Sequence, residues 1–115
     1  MKELSIIQPD DWHVHLREKE MLEIVVGHSS RIFKRCVAMP NLSNPITNFD
    51  MAKKYKKELE LNSKSKDFQA LVPCYLTDTM NLKDFERGIV DNYFFGAKLY
   101  PINATTNSLN GVKNI

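Results

Sequence analysis

The sequence predicts an α/β fold built on a parallel sheet, and three observations carry that prediction. Short apolar runs of strand length alternate with segments of helical periodicity, in the order β-α-β-α-β-α-β. Each strand candidate after the first is reached through a segment long enough for a right-handed crossover helix. The residues with chemical potential stand towards the carboxyl ends of the strand candidates: His13, His15 and Arg17 with the first, Asn41 with the second, Lys98 with the fourth.

The first run, Trp12 to Leu16, alternates as a strand does. Met21, Leu22, Ile24, Val25 and Val26 are spaced for a helix running to about Ser29. Arg35 to Met39 is the second strand, closed by Pro40, and Asn41 to Thr47 is a loop with Pro45 inside it. Asn48 is placed to cap a helix through Leu61 that turns Phe49, Ala52, Tyr55 and Leu59 inward. A polar loop from Asn62 to Lys66 leads to the third strand, Phe68 to Leu76, where Pro73 puts Cys74 to Leu76 at or beyond the strand end. Thr77 to Asn81 supplies caps and turns for a helix from Leu82 to Val90. The fourth strand runs from Phe94 to Leu99 and is stopped by Pro101, and a loop rich in Thr, Asn and Ser follows from Asn103 to Gly111.

Two architectures share this order, an open doubly wound sheet and a (β/α)8 barrel. The doubly wound nucleotide folds carry a glycine-rich turn after the first strand, whereas here that turn is Arg17-Glu18-Lys19-Glu20. A barrel builds its active site at the carboxyl ends of its strands, where the candidate residues stand. Barrels of this kind need about 250 residues, so 115 residues are expected to supply about the first half, some four strands. Residues 1–115 then form one part of a single barrel domain with no internal boundary.

Composition narrows the class. With 43% hydrophobic and 26% charged residues the chain is ordinary for a globular protein. No apolar run approaches the ~20 residues that span a bilayer, and Met1 to Trp12 holds no apolar signal segment. A soluble, cytoplasmic protein without a membrane partner is the expectation. The net charge is +2, but Lys53, Lys54, Lys56, Lys57, Lys64 and Lys66 crowd into one stretch. Glu58, Glu60 and Asp67 are mixed among them and Tyr55 is the only aromatic inside, so a solvated helix face followed by a polar loop explains the run, and no nucleic-acid partner is expected. Cys36 and Cys74 lie in separate apolar runs and read as buried free thiols.

The sharpest chemical signal is His13-Val14-His15. On a strand, residues i and i+2 share a face, so two imidazoles project side by side, the spacing two nitrogen ligands of one metal require. A structural or surface pair is the bland alternative. His28 falls near a helix end and reads as a surface or capping residue. Lys98 follows Phe94-Phe95-Gly96-Ala97. An amine in such a strand pairs with an anion, snorkels, or loses its charge; without charge it can form a Schiff base or capture carbon dioxide as a carbamate, a carboxylate able to bridge two cations. Arg17 continues the first strand on the face of His13 and His15, and its guanidinium fork suits a carboxylate, unless it is simply exposed in a turn. Asn41 is placed either to donate into the same pocket or to make a turn. Thr105 and Thr106 lie in a polar loop that suits a mobile lid.

Together these residues resemble the N-terminal part of dihydroorotase of the compact bacterial type, in the amidohydrolase superfamily. The matching stretches are Pro9-Asp10-Asp11-Trp12-His13-Val14-His15-Leu16-Arg17, Met39-Pro40-Asn41-Leu42, Cys74-Tyr75-Leu76-Thr77-Asp78, Glu86-Arg87-Gly88, and Lys98-Leu99-Tyr100-Pro101 with Asn103-Ala104-Thr105-Thr106-Asn107-Ser108 and Gly111-Val112. The resemblance implies a distorted (β/α)8 barrel holding two zinc ions, with His13 and His15 on the more buried metal and Lys98, carboxylated by carbon dioxide, bridging both. It implies that Arg17 and Asn41 hold the substrate carboxylate, that His15 and Leu16 line the same pocket, and that Thr105 and Thr106 ride on a loop that closes over ligand. The implied reaction is reversible cyclisation of N-carbamoyl-L-aspartate to dihydroorotate in pyrimidine synthesis, by hydroxide held between the zinc ions, in a homodimer of the whole protein.

Two departures stand out. The family has Asp-Gly after the arginine, and here Glu18-Lys19 follows. The family's two further histidine ligands and its general-base aspartate come from later strands, and the four residues after Gly111 include no His, Asp or Glu. The chain therefore reads as a fragment, inactive alone. A dihydropyrimidinase- or allantoinase-like enzyme is the nearest rival, although those carry a glycine-rich lead where Gln8-Pro9-Asp10-Asp11-Trp12 stands here. A non-catalytic scaffold is the rival of another class.

Overall fold

The structure is a computed structural model and describes residues 2–115. Its elements are β1 (Asp11–Val14), α1 (Lys19–Ile32), β2 (Arg35–Ala38), α2 (Phe49–Leu61), β3 (Gln69–Leu71), β4 (Cys74–Tyr75), α3 (Leu82–Val90) and β5 (Ala97–Lys98). Every strand pairing is parallel, in the order β1-β2-β3 in one sheet and β4-β5 in a second. The alternation of strand and helix thus gives the parallel α/β arrangement that the sequence predicts.

The single third strand expected from Phe68 to Leu76 is instead two short strands. Pro73 has no N–H to donate, so the ladder breaks beside it. β3 pairs with β2, and after the break β4 pairs with β5. The backbone stays satisfied across the gap: Phe95 donates to the Val72 carbonyl at 2.9 Å and Cys74 donates to that of Gly96 at 2.8 Å. Cys74 and Tyr75 are therefore strand residues, where the sequence placed them at or past a strand end.

The helices of the second and third crossovers match their signals. Asn48 caps α2 by accepting from the Met51 N–H, and Asn81 caps α3 by accepting from that of Asp84. The first helix is longer than its apolar spacing suggests, ending at Ile32, and no side chain caps its start. Phe49, Ala52, Tyr55 and Leu59 are the buried face of α2, while Lys53, Lys54 and Lys57 are exposed on the other side, as a solvated face requires.

The core lies between the strands and the helices. Cys36, Ala38, Ala70, Val72 and Cys74 meet Leu22 and Val26 of α1, Ala52, Tyr55 and Leu59 of α2, and Phe94. α3 comes close because residue 88 is glycine: a Cβ there would stand 2.1 Å from the Phe94 ring. Both cysteines are free and buried, and burial pushes each thiol up to about 11, so they are inert packing residues. Outside this core, Trp12 and Phe95 stack with ring centroids 5.6 Å apart and are each about half exposed. Among the described residues no helix is long and apolar enough to cross a membrane.

Candidate metal and substrate site

The site begins at a bulge. Asp11 pairs with Cys36 and Val14 with Ala38, so β1 spends one more residue than β2 between these pairs. The Asp11 carboxylate accepts the His13 N–H at 3.0 Å across the bulge. Val14 packs on the core and Leu16 is fully buried in it, while His13 stays exposed and His15 half-buried. The two imidazoles stand side by side, ring centroids 5.5 Å apart and planes at 57°. Burial, the largest influence, lowers the His15 pKa, the charges of Arg17, His13 and Lys98 lower it further, and the Asn41 side chain acts in the opposite sense. A lowered pKa favours the neutral imidazole, the form in which histidine binds metal.

Arg17 does not continue the strand, as the sequence suggested. β1 ends at Val14, and Arg17 takes a left-handed backbone with φ 58°, followed by Lys19 at φ 54°. The turn is held from outside: the Tyr55 hydroxyl donates to the Arg17 carbonyl at 2.9 Å, and the Glu18 carboxylate accepts the Ser43 N–H at 2.9 Å. Lys98, on β5, is half-buried, with Nζ 5.9 Å from the centre of the Tyr100 ring. The ion pairs among the described residues are Arg35–Asp10 and Arg87–Asp91.

Asn41, buried at the end of β2, is a junction. Its Nδ2 donates to the Thr106 carbonyl at 2.9 Å, its Oδ1 accepts the Tyr100 hydroxyl at 3.1 Å, and its own carbonyl accepts from Asn107 at 3.1 Å. The Thr105 and Thr106 side chains are exposed on a compact loop that Ser108 closes, accepting the Thr105 N–H at 3.0 Å and donating to the Thr105 carbonyl at 2.6 Å. Beneath it Tyr75 and Tyr100 stack at 4.9 Å.

The fold therefore brings His13, His15, Arg17, Asn41 and Lys98 into one neighbourhood and seats the Thr105–Thr106 loop on Asn41. Leu16 is the exception: its side chain belongs to the core, so only its backbone is free to face a pocket. Sequence patterns missed Tyr55 and Tyr100 as supports. The one available signal was that a buried tyrosine hydroxyl seeks a partner. Among the described residues no three His, Cys, Asp or Glu side chains gather as a metal site. The donors present, two adjacent imidazoles and a lysine without a carboxylate partner, fit part of a zinc ligand set.

Histidines, a lysine and an arginine near the strand ends of a parallel α/β array stand where α/β proteins build their sites, at the carboxyl edge of the sheet. In sequence and in fold the chain matches part of dihydroorotase. It is 49% identical over 113 residues to the dihydroorotase of Salmonella arizonae and 48% identical to that of Salmonella paratyphi B, covering 97% of this chain in each case. It covers 32% of each relative, so the chain spans about a third of the length of the curated relatives it matches. A crystal structure of dihydroorotase from Campylobacter jejuni superposes with a TM-score of 0.84 at 36% identity, covering 93% of this chain and 31% of that one. Dihydroorotase from Saccharomyces cerevisiae, crystallised with 5-fluoroorotic acid, gives 0.83 at 32% identity, covering 90% of this chain and 28% of that one. No protein-family model matches the chain.

Proposed function

We propose that these residues belong to a dihydroorotase that interconverts N-carbamoyl-L-aspartate and (S)-dihydroorotate plus water, and that they form the first strands of a (β/α)8 barrel. The observation that carries this is the adjacent His13–His15 pair with Lys98 and Arg17 close enough for their charges to act on His15. In this reading His13 and His15 would hold one of two zinc ions through their imidazoles. The Lys98 amine would attack carbon dioxide, an N–C bond forming as one C=O π bond opens onto oxygen and the amine proton leaves to solvent, and the resulting carboxylate would be a ligand for both metals. When bound, the zinc ions supply Lewis acidity to water and to the ring amide carbonyl.

The remaining roles follow from residue chemistry. The Arg17 fork holds the substrate carboxylate together with the one N–H of the Asn41 amide that is not given to Thr106, with His15 and the backbone of Leu16 beside it. The Arg17 guanidinium, whose charge acts on His15, favours an anionic ligand such as N-carbamoyl-L-aspartate over a neutral cyclic amide. Thr105 and Thr106 form the closing loop, and the general-base aspartate and the remaining ligands come from strands beyond this chain. The reading carries with it a cytoplasmic homodimer acting on a small molecule, with neither nucleic acid nor membrane as partner.

The test is to purify the complete protein, count its zinc, and assay it with dihydroorotate, dihydrouracil and allantoin. Two zinc ions per subunit and turnover of dihydroorotate alone are expected. Preference for either other ring would favour the rival cyclic amidohydrolase, and bound ligand without turnover would favour a scaffold.

A further inference from the structure

Arg17 is held in a conformation that residues with a Cβ avoid. Its φ of 58° lies in the left-handed region, which persists at a non-glycine residue only when the surroundings over-determine it. The two backbone neighbours are tied down in different ways: Leu16 is locked in the core, and the Glu18 carbonyl accepts the Leu22 N–H as α1 begins. The carbonyl of Arg17 itself is taken by the hydroxyl of Tyr55, at 2.9 Å and 38 residues away in sequence. Tyr55 is buried in the core on α2, so its ring is fixed by packing and its hydroxyl is a rigid donor. Burial pushes the phenol pKa well up, so the hydroxyl keeps its proton and always donates.

The backbone dihedrals of Arg17 set the direction of its Cα–Cβ bond and therefore where the guanidinium goes. We infer that Tyr55 is a positioning residue of the substrate site: its hydroxyl holds Arg17 in the left-handed conformation that sets the direction of its side chain. A tyrosine on the outer helix layer thereby sets substrate affinity without touching substrate. This rests on the proposed role of Arg17 as the carboxylate clamp.

The experiment compares Tyr55→Phe, Arg17→Ala and the double variant in the complete, zinc-loaded protein, reading KM and kcat for dihydroorotate together with zinc content. Phenylalanine keeps the ring in the core, so the variant folds. Tyr55→Phe is expected to raise KM roughly three- to tenfold, the size of one lost hydrogen bond, with kcat and zinc unchanged. The double variant is expected to bind no worse than Arg17→Ala, because the hydroxyl acts only through Arg17. A raised KM in Arg17→Ala beside an unchanged one in Tyr55→Phe overturns the role of Tyr55 and leaves the clamp standing. Additive effects, or a fall in kcat or zinc content in Tyr55→Phe, overturn it equally. An unchanged KM in Arg17→Ala overturns the clamp and this inference with it.

Discussion

The side-chain amide of Asn41 donates to the backbone carbonyl of Thr106 at 2.9 Å, joining the end of β2 to a loop 65 residues further along the chain. The same side chain accepts the Tyr100 hydroxyl, so both ends of one buried amide are engaged and its orientation is set. Truncating it leaves a carbonyl and a hydroxyl without partners. Asn41→Ala should destabilise the protein by about 2 kcal/mol, within the usual range for stranding buried polar groups. Urea unfolding measures the loss, and faster proteolytic cleavage between 103 and 108 would show that the loop is what lets go.

Lys19 offers the opposite sign. It stands at φ 54°, the position where the Asp-Gly of the family would place glycine. A side chain pays a steric penalty there that glycine does not. Lys19→Gly should stabilise the fold by about 1 kcal/mol, read as a raised urea midpoint with an unchanged slope. A destabilised variant would show that the turn draws more from the lysine than its backbone loses.

These two residues mark how far local pattern reaches. α2 and α3 start where they do because Asn48 and Asn81 are caps with a known geometry, and both are legible in sequence. α1 has no such cap, and its start at Lys19 lies in a left-handed turn that no propensity suggests. Phe68 to Leu76 looks like one apolar strand, yet Pro73 removes a single donor and the two halves take different partners. In the site, the i, i+2 spacing of His13 and His15 exposed the pair, because strand periodicity is local. The links from Tyr55 to Arg17 and from Asn41 to Thr106 are tertiary, and nothing in the neighbouring residues encodes them.

Asp10 gives a pH dependence of known sign. Its carboxyl is held below its ordinary value of 3.8, chiefly by the hydrogen bond from Arg35, which also lies over the Trp12 ring at 5.2 Å. A folded value lowered in this way makes the ion pair's contribution complete above the unfolded value of 3.8. The contribution is then lost as pH falls through the lower folded value. Melting temperature should therefore fall more steeply on acidification in the wild type than in Asp10→Asn, with parallel curves near neutrality. The pair is solvent-accessible, so added salt should shrink the difference. Curves that stay parallel into the acid range would remove Asp10 from the account.

In the proposed function Lys98 decides the metal chemistry. It is half-buried on β5, makes no ion pair among the described residues, and contributes nothing to the packed core. Lys98→Ala should leave the fold and melting temperature of the metal-free protein almost unchanged. Zinc content is the discriminating readout. Loss of a mere supporting group around a metal costs roughly 10–100-fold in affinity, so removing a bridging ligand should cost at least about 100-fold and take activity with it. A carbamate is a carboxylate on a tether, which sets the confirming step: acetate or propionate added to Lys98→Ala should restore part of the zinc and part of the turnover, and neutral amides of the same size should restore neither. A Schiff-base lysine behaves differently, because added carboxylate cannot replace a nucleophilic amine. Full zinc and unaltered turnover in Lys98→Ala would take this lysine out of the site altogether.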